Sequence, residues 1–231
     1  MKIIARIRNP YDGKFGVPRQ SGLVEQVVST IVFEPEYRVA EALRGIGEFS
    51  HLWLIWSFDR AERETWSPTV RPPRLGGNER VGVFATRSPY RPNAIGLSCV
   101  KLLGVEKGRE GTVLKVAGAD LMNGTPIYDI KPYIPYADCI PEATGGFTDR
   151  TEKRTVDVVI PEECAKEMDP EMLEALKAVL REDPRPAYQD DPERVYAFEF
   201  GGKNVRFRVE GKVLKVVLIQ KSELKCTMHN A

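Results

Sequence analysis

Histidine is almost missing from this chain. Only His51 and His229 are present, too few for a histidine-built metal centre. The four cysteines, Cys99, Cys139, Cys164 and Cys226, form no C-x-x-C pair, which removes the usual zinc and dithiol redox motifs and leaves free thiols as the expectation. No stretch matches G-x-G-x-x-G, G-x-x-x-x-G-K-[ST] or G-x-S-x-G, so neither a dinucleotide fold, a P-loop nor a nucleophile elbow is predicted. No apolar run reaches membrane-spanning length, and the opening MKIIARIRNPYDGK lacks the hydrophobic segment of a signal peptide. A cytoplasmic protein with no membrane contact and no metal is expected.

What is present is ordinary in bulk and uneven in detail. The 231 residues are 42% hydrophobic and 29% charged, which suits a soluble chain with room for one large or two modest domains. The net charge is +1, but its distribution is segregated. Arg71, Arg74, Arg80, Arg87 and Arg91 face a single acid, Glu79, within residues 71–91. Residues 161–193 hold eleven acids against four bases, and residues 194–231 hold eight bases against three acids. Such segregation can build a positive face that attracts polyanions; it also arises on solvated surfaces with no partner.

The most informative stretch is VGVFATRSPYRPNAIGLSCVKLL, residues 81–103. Its two apolar runs, opening at Val81 and at Ile95, predict a pair of strands around a stiff hairpin loop, because Pro89 and Pro92 fix φ and remove backbone donors. That loop carries Arg87, Arg91, Thr86, Ser88, Tyr90 and Asn93. Planar guanidinium forks on a rigid turn suit a carboxylate or phosphate; a polar loop with solvated arginines is the alternative.

Further strands are predicted at residues 3–8, 27–33, 49–58, 112–117 and 127–133, the third as a buried central strand because its apolar run is nearly continuous. Residues 36–43 have helical character. Pro18-Arg19-Gln20 offers a rigid cationic fork beside an amide, Asp59-Arg60 stands at a strand exit, and residues 64–80 form an irregular, arginine-bearing loop. Asn123-Gly124 signals a tight turn. The character changes near residues 142–150. Asp169-Pro170 then opens a helix with Met172, Leu173, Leu176, Val179 and Leu180 at helical spacing, and three strands follow at residues 195–200, 205–209 and 213–219. Arg206 and Arg208 share one face of the middle strand, fit either to touch nucleic acid or to form the wet side of a meander. The fold class is therefore mainly β, with an antiparallel barrel or sandwich over residues 1–150 and a small α+β, helix-plus-meander domain over residues 151–231.

Several pieces together carry a likeness. They are Val17-Pro18-Arg19-Gln20, Phe49-Ser50-His51-Leu52-Trp53, Arg71-Pro72-Pro73-Arg74-Leu75-Gly76-Gly77-Asn78, Gly82-Val83-Phe84-Ala85-Thr86-Arg87-Ser88, Arg91-Pro92-Asn93, Gly124-Thr125-Pro126, Asp129-Ile130-Lys131-Pro132-Tyr133 and Asp183-Pro184-Arg185-Pro186-Ala187-Tyr188. In this order the chain resembles the tRNA methyltransferase O family. The resemblance implies an S-adenosylmethionine-dependent enzyme that methylates the exocyclic nitrogen of threonylcarbamoyl-adenosine next to the anticodon in tRNA. It further implies an antiparallel β-barrel that binds the cofactor without a Rossmann domain, a smaller C-terminal domain, and a homodimer with the site near the subunit interface. Position by position, the cofactor set implied is Pro18, Arg19, Gln20, Asp59, Arg60, Arg87, Leu97, Asn123, Gly124, Thr125 and Pro126. The chain departs from the family pattern at Asp59-Arg60, where histidine and glutamine are usual, and at Asn123, where aspartate is common.

Methyl transfer to a nitrogen whose lone pair is delocalised gains from a proton acceptor, and Asp138, Tyr136 and Asp129 are the candidates. Lys131 or Arg91 could stabilise the developing negative charge; alternatively Asp129 and Lys131 form an ordinary ion pair. Arg71, Arg74, Arg91, Arg185, Arg206 and Arg208 are the expected tRNA contacts. The competing functions are a tRNA-binding module of the same fold without catalysis, and a metal-dependent hydrolase using Asp129, Asp138 and His51, which the scarcity of histidine disfavours.

Overall fold

A computed structural model of the chain describes residues 1–61, 65–151, 154–185 and 191–222. Along it come β1 (Ala5–Arg8), β2 (Val28–Phe33), β3 (His51–Ser57), β4 (Thr69–Val70), β5 (Val81–Gly82), β6 (Ile95–Gly108), β7 (Gly111–Ala117) and β8 (Pro126–Pro132). The helix α1 (Pro135–Asp138), β9 (Asp157–Val159), α2 (Glu162–Ala165), α3 (Pro170–Arg181), β10 (Tyr196–Phe200), β11 (Lys203–Glu210) and β12 (Val213–Lys221) complete it.

Six strands close into a ring, a barrel in the order β1-β2-β7-β6-β3-β8. Every pairing in it is antiparallel, and closure leaves no free edge. The alternation of side chains sends Ile7, Ile31, Leu52, Leu54, Val100, Leu114, Val116 and Ile127 inward, each at most 1% exposed. β3 corrects the expectation of a strand buried on both faces. Leu52, Leu54 and Trp56 are buried, whereas Trp53 and Ile55 between them are half-buried on the outside. A strand in a closed ring has one inner face. The outward Trp53 packs beside Tyr133, with ring centroids 5.8 Å apart, so its apolar character does not report burial in the core.

The predicted hairpin over residues 81–103 does not form. β5 is only two residues long, pairs with β4 across the arginine-bearing loop, and gives way to a 3-10 turn at Val83–Ala85. β6 pairs instead with β3 and β7. The long loop thus folds back on itself before the chain enters the ring. Residues 36–43 are a second correction: Pro35–Tyr37 and Ala40–Leu43 are separate 3-10 turns, because Val39 between them is extended, with φ −102° and ψ 115°.

A second core lies beyond. Asp169 caps α3 by accepting the Met172 N–H at 2.9 Å, with Pro170 in the first turn as expected. Ala175, Leu176, Val179 and Leu180 face the sheet β10-β11-β12-β9; burying each leucine contributes about 1.5–3 kcal/mol. The meander is as predicted, but β9, parallel to β12, is an addition to it; three residues are too few to leave a periodic signal. Tyr11, Val24 and Val27, with Phe15, Val17 and Leu23 against them, also join this core. The segment between β1 and β2 therefore packs with the far end of the chain.

Candidate functional site

The central loop is held largely by its own polar groups. Thr86 Oγ1 donates to the Val83 carbonyl at 2.8 Å and accepts the Ser88 N–H at 3.2 Å; Ser88 Oγ accepts the Tyr90 N–H at 3.3 Å. Arg91 Nη1 donates to the Thr86 carbonyl at 2.7 Å and the Val83 carbonyl at 3.4 Å. The hydroxyls and the second guanidinium of the loop therefore stiffen it. Arg87 stays exposed and turns toward Gln20, donating from Nη1 to Oε1 at 2.5 Å. Gln20 in turn donates from Nε2 to the Arg19 carbonyl at 2.6 Å, and Pro18 beside it is buried. Two stretches separated by 67 residues meet here.

Beneath this pair lie residues that sequence reasoning missed. Ser98 on β6 is fully buried, accepts the Trp56 Nε1–H at 2.9 Å and donates from Oγ to Asp120 Oδ1 at 2.5 Å. Burial pushes the Asp120 carboxyl up from its ordinary value, while the Ser98 hydroxyl, the Arg87 charge and the Ser21 N–H pull the other way. Burial, and then the charge of Asp120, raises the Tyr11 hydroxyl. A signal did exist: Gly96, Ser98 and Val100 share the inner face of β6, and a lone hydroxyl on an apolar face needs a partner. Gly96 is there because a Cβ at that position would lie 2.2 Å from the Trp56 ring.

The next turn in the chain closes the cluster. Met122 O accepts the Thr125 N–H at 3.1 Å and Gly124 has φ +83°, a left-handed position that favours glycine. Asn123 Oδ1 accepts the Asn9 N–H at 3.3 Å, its Nδ2 donates to Asp12 Oδ1 at 3.4 Å, and its carbonyl accepts from Arg60 Nη2 at 3.3 Å. Arg6 Nη1 donates to the Gly124 carbonyl at 3.1 Å. Thr125 and Pro126 are buried. Asp59, beside Arg60 at the exit of β3, is exposed. Thus Gln20 meets Arg87, and Arg60 meets Asn123.

The expected proton acceptors lie on the outer face of the ring. Ile55 is in register with Leu97 on one side and Asp129 on the other; Trp53 is likewise between Cys99 and Lys131. Asp129 forms an ion pair with Lys131 at 3.1 Å and accepts the Ile130 N–H at 2.9 Å. Asp138 Oδ2 accepts from Trp53 Nε1 at 3.1 Å and from the Ile134 N–H at 2.8 Å. Tyr136 is 91% exposed. Burial, then the charge of Asp138, raises the Cys99 thiol. Leu97, 56% exposed, belongs to this outer row. Among the described residues, no hydrogen bond or ion pair links the row to the Arg87 cluster.

The remaining arginines divide. Arg71, Arg206 and Arg208 are exposed; Arg206 Nε donates to Asn204 Oδ1 at 3.1 Å and Arg208 stands 3.9 Å from Glu193. Arg74 lies in the 3-10 turn Pro73–Leu75. Arg185 is not the surface cation expected. It is 8% exposed and forks onto Asp183 through Nε and Nη2, both at 2.9 Å. Pro186-Ala187-Tyr188 of that motif, like Cys226 and His229, lie outside the described residues. Arg19 also turns inward to this loop, donating to the carbonyls of Asp183 and Arg185. Among the described residues, no three His, Cys, Asp or Glu side chains gather as a metal-binding group, and no helix is long and apolar enough to cross a membrane.

With this geometry in place, likeness to known proteins assigns the chain. Residues 6–139 match the model of the tRNA-methyltransferase O N-terminal domain, and residues 154–222 match that of the TrmO C-terminal domain. The tRNA (adenine(37)-N6)-methyltransferase of Escherichia coli K12 is 40% identical over 225 residues, covering 94% of this chain and 96% of the relative. A putative S-adenosylmethionine-dependent methyltransferase of Pseudomonas aeruginosa, RcsF, is 40% identical over 84% of this chain and 85% of its own length. A crystal structure of TrmO from Pseudomonas aeruginosa superposes with a TM-score of 0.76 at 30% identity, covering 94% of this chain and 97% of that one. The chain belongs to the tRNA-methyltransferase O family and is an S-adenosylmethionine-dependent methyltransferase.

Proposed function

We propose that this chain methylates the exocyclic nitrogen of adenosine 37 in tRNA, the adenosine just 3′ of the anticodon, in its threonylcarbamoyl form, and that it does so as a cytoplasmic homodimer. The observation that carries the cofactor site is the meeting of Gln20 with Arg87 above the Asp120–Ser98 pair, beside the Arg60–Asn123 contact. S-adenosylmethionine bears a sulfonium, an ammonium and a carboxylate. A part-buried carboxylate near the exposed Arg87 guanidinium offers groups of both signs to such a molecule, so the residues fit it. When bound, the cofactor supplies a methyl group on a strongly electrophilic centre. Gln20, Arg87 and the Asn123–Pro126 turn would hold it, with Arg60 fixing the turn. Asp59 offers acceptors to hydroxyls or an amine.

The acceptor nitrogen is flanked by a carbonyl and a purine, so removing its proton helps; a matched general base contributes about two to four orders of magnitude. Asp138, Asp129 and Tyr136 are the proposed acceptors, and Lys131 and Arg91 the cations that steady negative charge. The outer face that carries them also exposes Leu97, Leu103, Val105, Tyr136 and Ile140, apolar surface suited to a second copy of the chain. Residues 1–150 are proposed as the catalytic domain. Residues 151–231, with Arg206 and Arg208 exposed, are proposed to contact tRNA together with Arg71 and Arg74.

The test is methyl transfer from labelled S-adenosylmethionine to tRNA with and without the threonylcarbamoyl group, followed by mass spectrometry of the nucleosides. Methylation of adenosine 37 only when the group is present is expected. Equal methylation of both tRNAs would refute the finer substrate, and none in either would refute the activity. Alanine at one of Asp129, Tyr136 and Asp138 is expected to lower the rate about 100-fold or more with cofactor affinity intact; if none does, the base lies elsewhere.

A further inference from the structure

Between the exit of β3 and the second half of the central loop lies a cavity of about 350 Å³ lined by Ser57, Trp66, Tyr90, Arg91, Asn93 and Tyr128, within the size range of small-ligand sites. Phe84 stands just outside the lining, against the lining residues Trp66 and Arg91. The rings of Trp66 and Phe84 stack with centroids 5.9 Å apart and planes 28° apart, yet Trp66 is 49% and Phe84 69% exposed. The Arg91 guanidinium sits 5.8 Å from the Phe84 ring centre and is locked there by the Thr86 and Val83 carbonyls. Two large aromatics left in water lose stability that burial would supply. Here they are stacked on each other, with a fixed cation against one of them. Asn93 is exposed, and among the described residues its side-chain amide makes no hydrogen bond. An amide both donates and accepts, which suits the edge of a base.

We infer that this cavity is the nucleobase pocket: a base splayed out of the single-stranded loop of the RNA stacks on Trp66 and Phe84, while Asn93 meets its edge. Single-stranded RNA is recognised by this combination of aromatic platform, guanidinium and amide, since every base has a π-face and an unstacked base frees its edge. The position agrees. Arg91 and Asn93 belong to the loop that carries Arg87, and Ser57 lies two residues before Asp59. A base held here would touch residues that directly neighbour, along the chain, the groups proposed to hold the methyl donor. The inference rests on the tRNA-methyltransferase function proposed above and adds to it the residues that seat the base.

The experiment measures binding of an anticodon stem-loop RNA by fluorescence anisotropy, and methylation kinetics on tRNA, for wild type, Trp66→Ala, Trp66→Phe, Phe84→Ala and Asn93→Ala. Loss of one stacking partner should weaken RNA binding about 5- to 150-fold and raise KM for tRNA. Trp66→Phe should retain most of the affinity, and S-adenosylmethionine titrations should match wild type in all variants. If Trp66→Ala and Phe84→Ala bind RNA as wild type does, the pocket is refuted while the methyltransferase function stands. If they fall from dimer to monomer in sedimentation while each subunit keeps its RNA affinity, the aromatics are an interface between copies and the inference is equally overturned. If wild type itself neither binds nor methylates the RNA, the proposed function fails and the pocket with it.

Discussion

Arg19 donates from Nη2 to the main-chain carbonyl of Arg185 at 2.8 Å, a contact across 166 residues of sequence. The fork that looked like a ligand group in Pro18-Arg19-Gln20 thus grips the loop after α3, where Asp183 takes the left-handed φ of +45° and pairs with the buried Arg185. Gln20, the next residue, meets Arg87. The proposed cofactor loop is therefore tied to the second core by its neighbour. Arg19→Ala should lower stability by about 1–3 kcal/mol, the range for a charged hydrogen bond whose partners are left unmet. At roughly 2–4 °C per kcal/mol for a chain of this size, the thermal midpoint should fall by several degrees. Arg19→Lys should recover only part, because a point charge cannot reproduce the fork. A midpoint equal to wild type in Arg19→Ala would remove the coupling.

Arg87 and Gln20 should act as a unit toward the cofactor. Arg87→Ala is expected to weaken S-adenosylmethionine binding about 10- to 100-fold by isothermal titration, the scale of one charge-assisted hydrogen bond. Gln20→Ala should weaken it less, and the double variant should lose less than the two losses combined, since each residue positions the other. Strict additivity would mean that the two bind independently.

Asp120 gives a pH signature. Its carboxyl is raised, chiefly by burial. A raised acid keeps its proton in the native state after the unfolded chain has released it, so the native state binds more protons and stability falls as pH rises through the interval between the two values. Asp120→Asn retains an acceptor for Ser98 and removes the ionisation. Relative to wild type it should gain thermal stability at pH 7, and the gain should vanish below the ordinary carboxylate range. A difference between the two midpoints that does not change with pH would show that ionisation at Asp120 has no part in it.

Gly96→Ala should destabilise the ring. The added Cβ would meet Trp56 ring atoms at 2.2, 2.4 and 2.6 Å, and Trp56 cannot swing away without losing its hydrogen bond to Ser98. Overpacking of this kind costs about 1–3 kcal/mol. Denaturant unfolding would measure it, and near-ultraviolet circular dichroism should show a displaced tryptophan. An unchanged unfolding midpoint would mean that the ring interior has slack.

Local signals in the sequence carried much of this architecture. Asn123-Gly124, Asp169-Pro170 and the spacing of Leu176, Val179 and Leu180 each act through near neighbours, and each element formed where they indicated. Pairing between strands is different. Val81 and Ile95 look like hairpin partners by proximity, yet Val81 registers with Val70 in a separate two-stranded ribbon and Ile95 with Ser57 in the ring. At the site, the cationic loop was visible but its internal bonding was not. Arg91 and Thr86 read as ligand groups and also bond the loop backbone, because carbonyls left unmet by the prolines need donors. Asp120 is hard to read from sequence because its partners Ser98 and Ser21 are distant along the chain. Arg185 reads as a surface cation because its burial against Asp183 involves a left-handed residue that the sequence does not announce.

The segment between β1 and β2 also dictates a timetable. Asp12 Oδ2 accepts the Gly202 N–H across 190 residues, and Tyr11, Val24 and Val27 share a core with Phe198, Phe207 and Leu214. At about 5–20 residues per second of synthesis, this stretch leaves the ribosome roughly 10–40 s before its partners exist. Its aromatic and aliphatic side chains lack their core partners through that interval. The strands that flank it, β1 and β2, pair with each other and pin its two ends together early. Held as a loop between paired strands, the segment keeps its entropic penalty small until the last strands arrive to receive it.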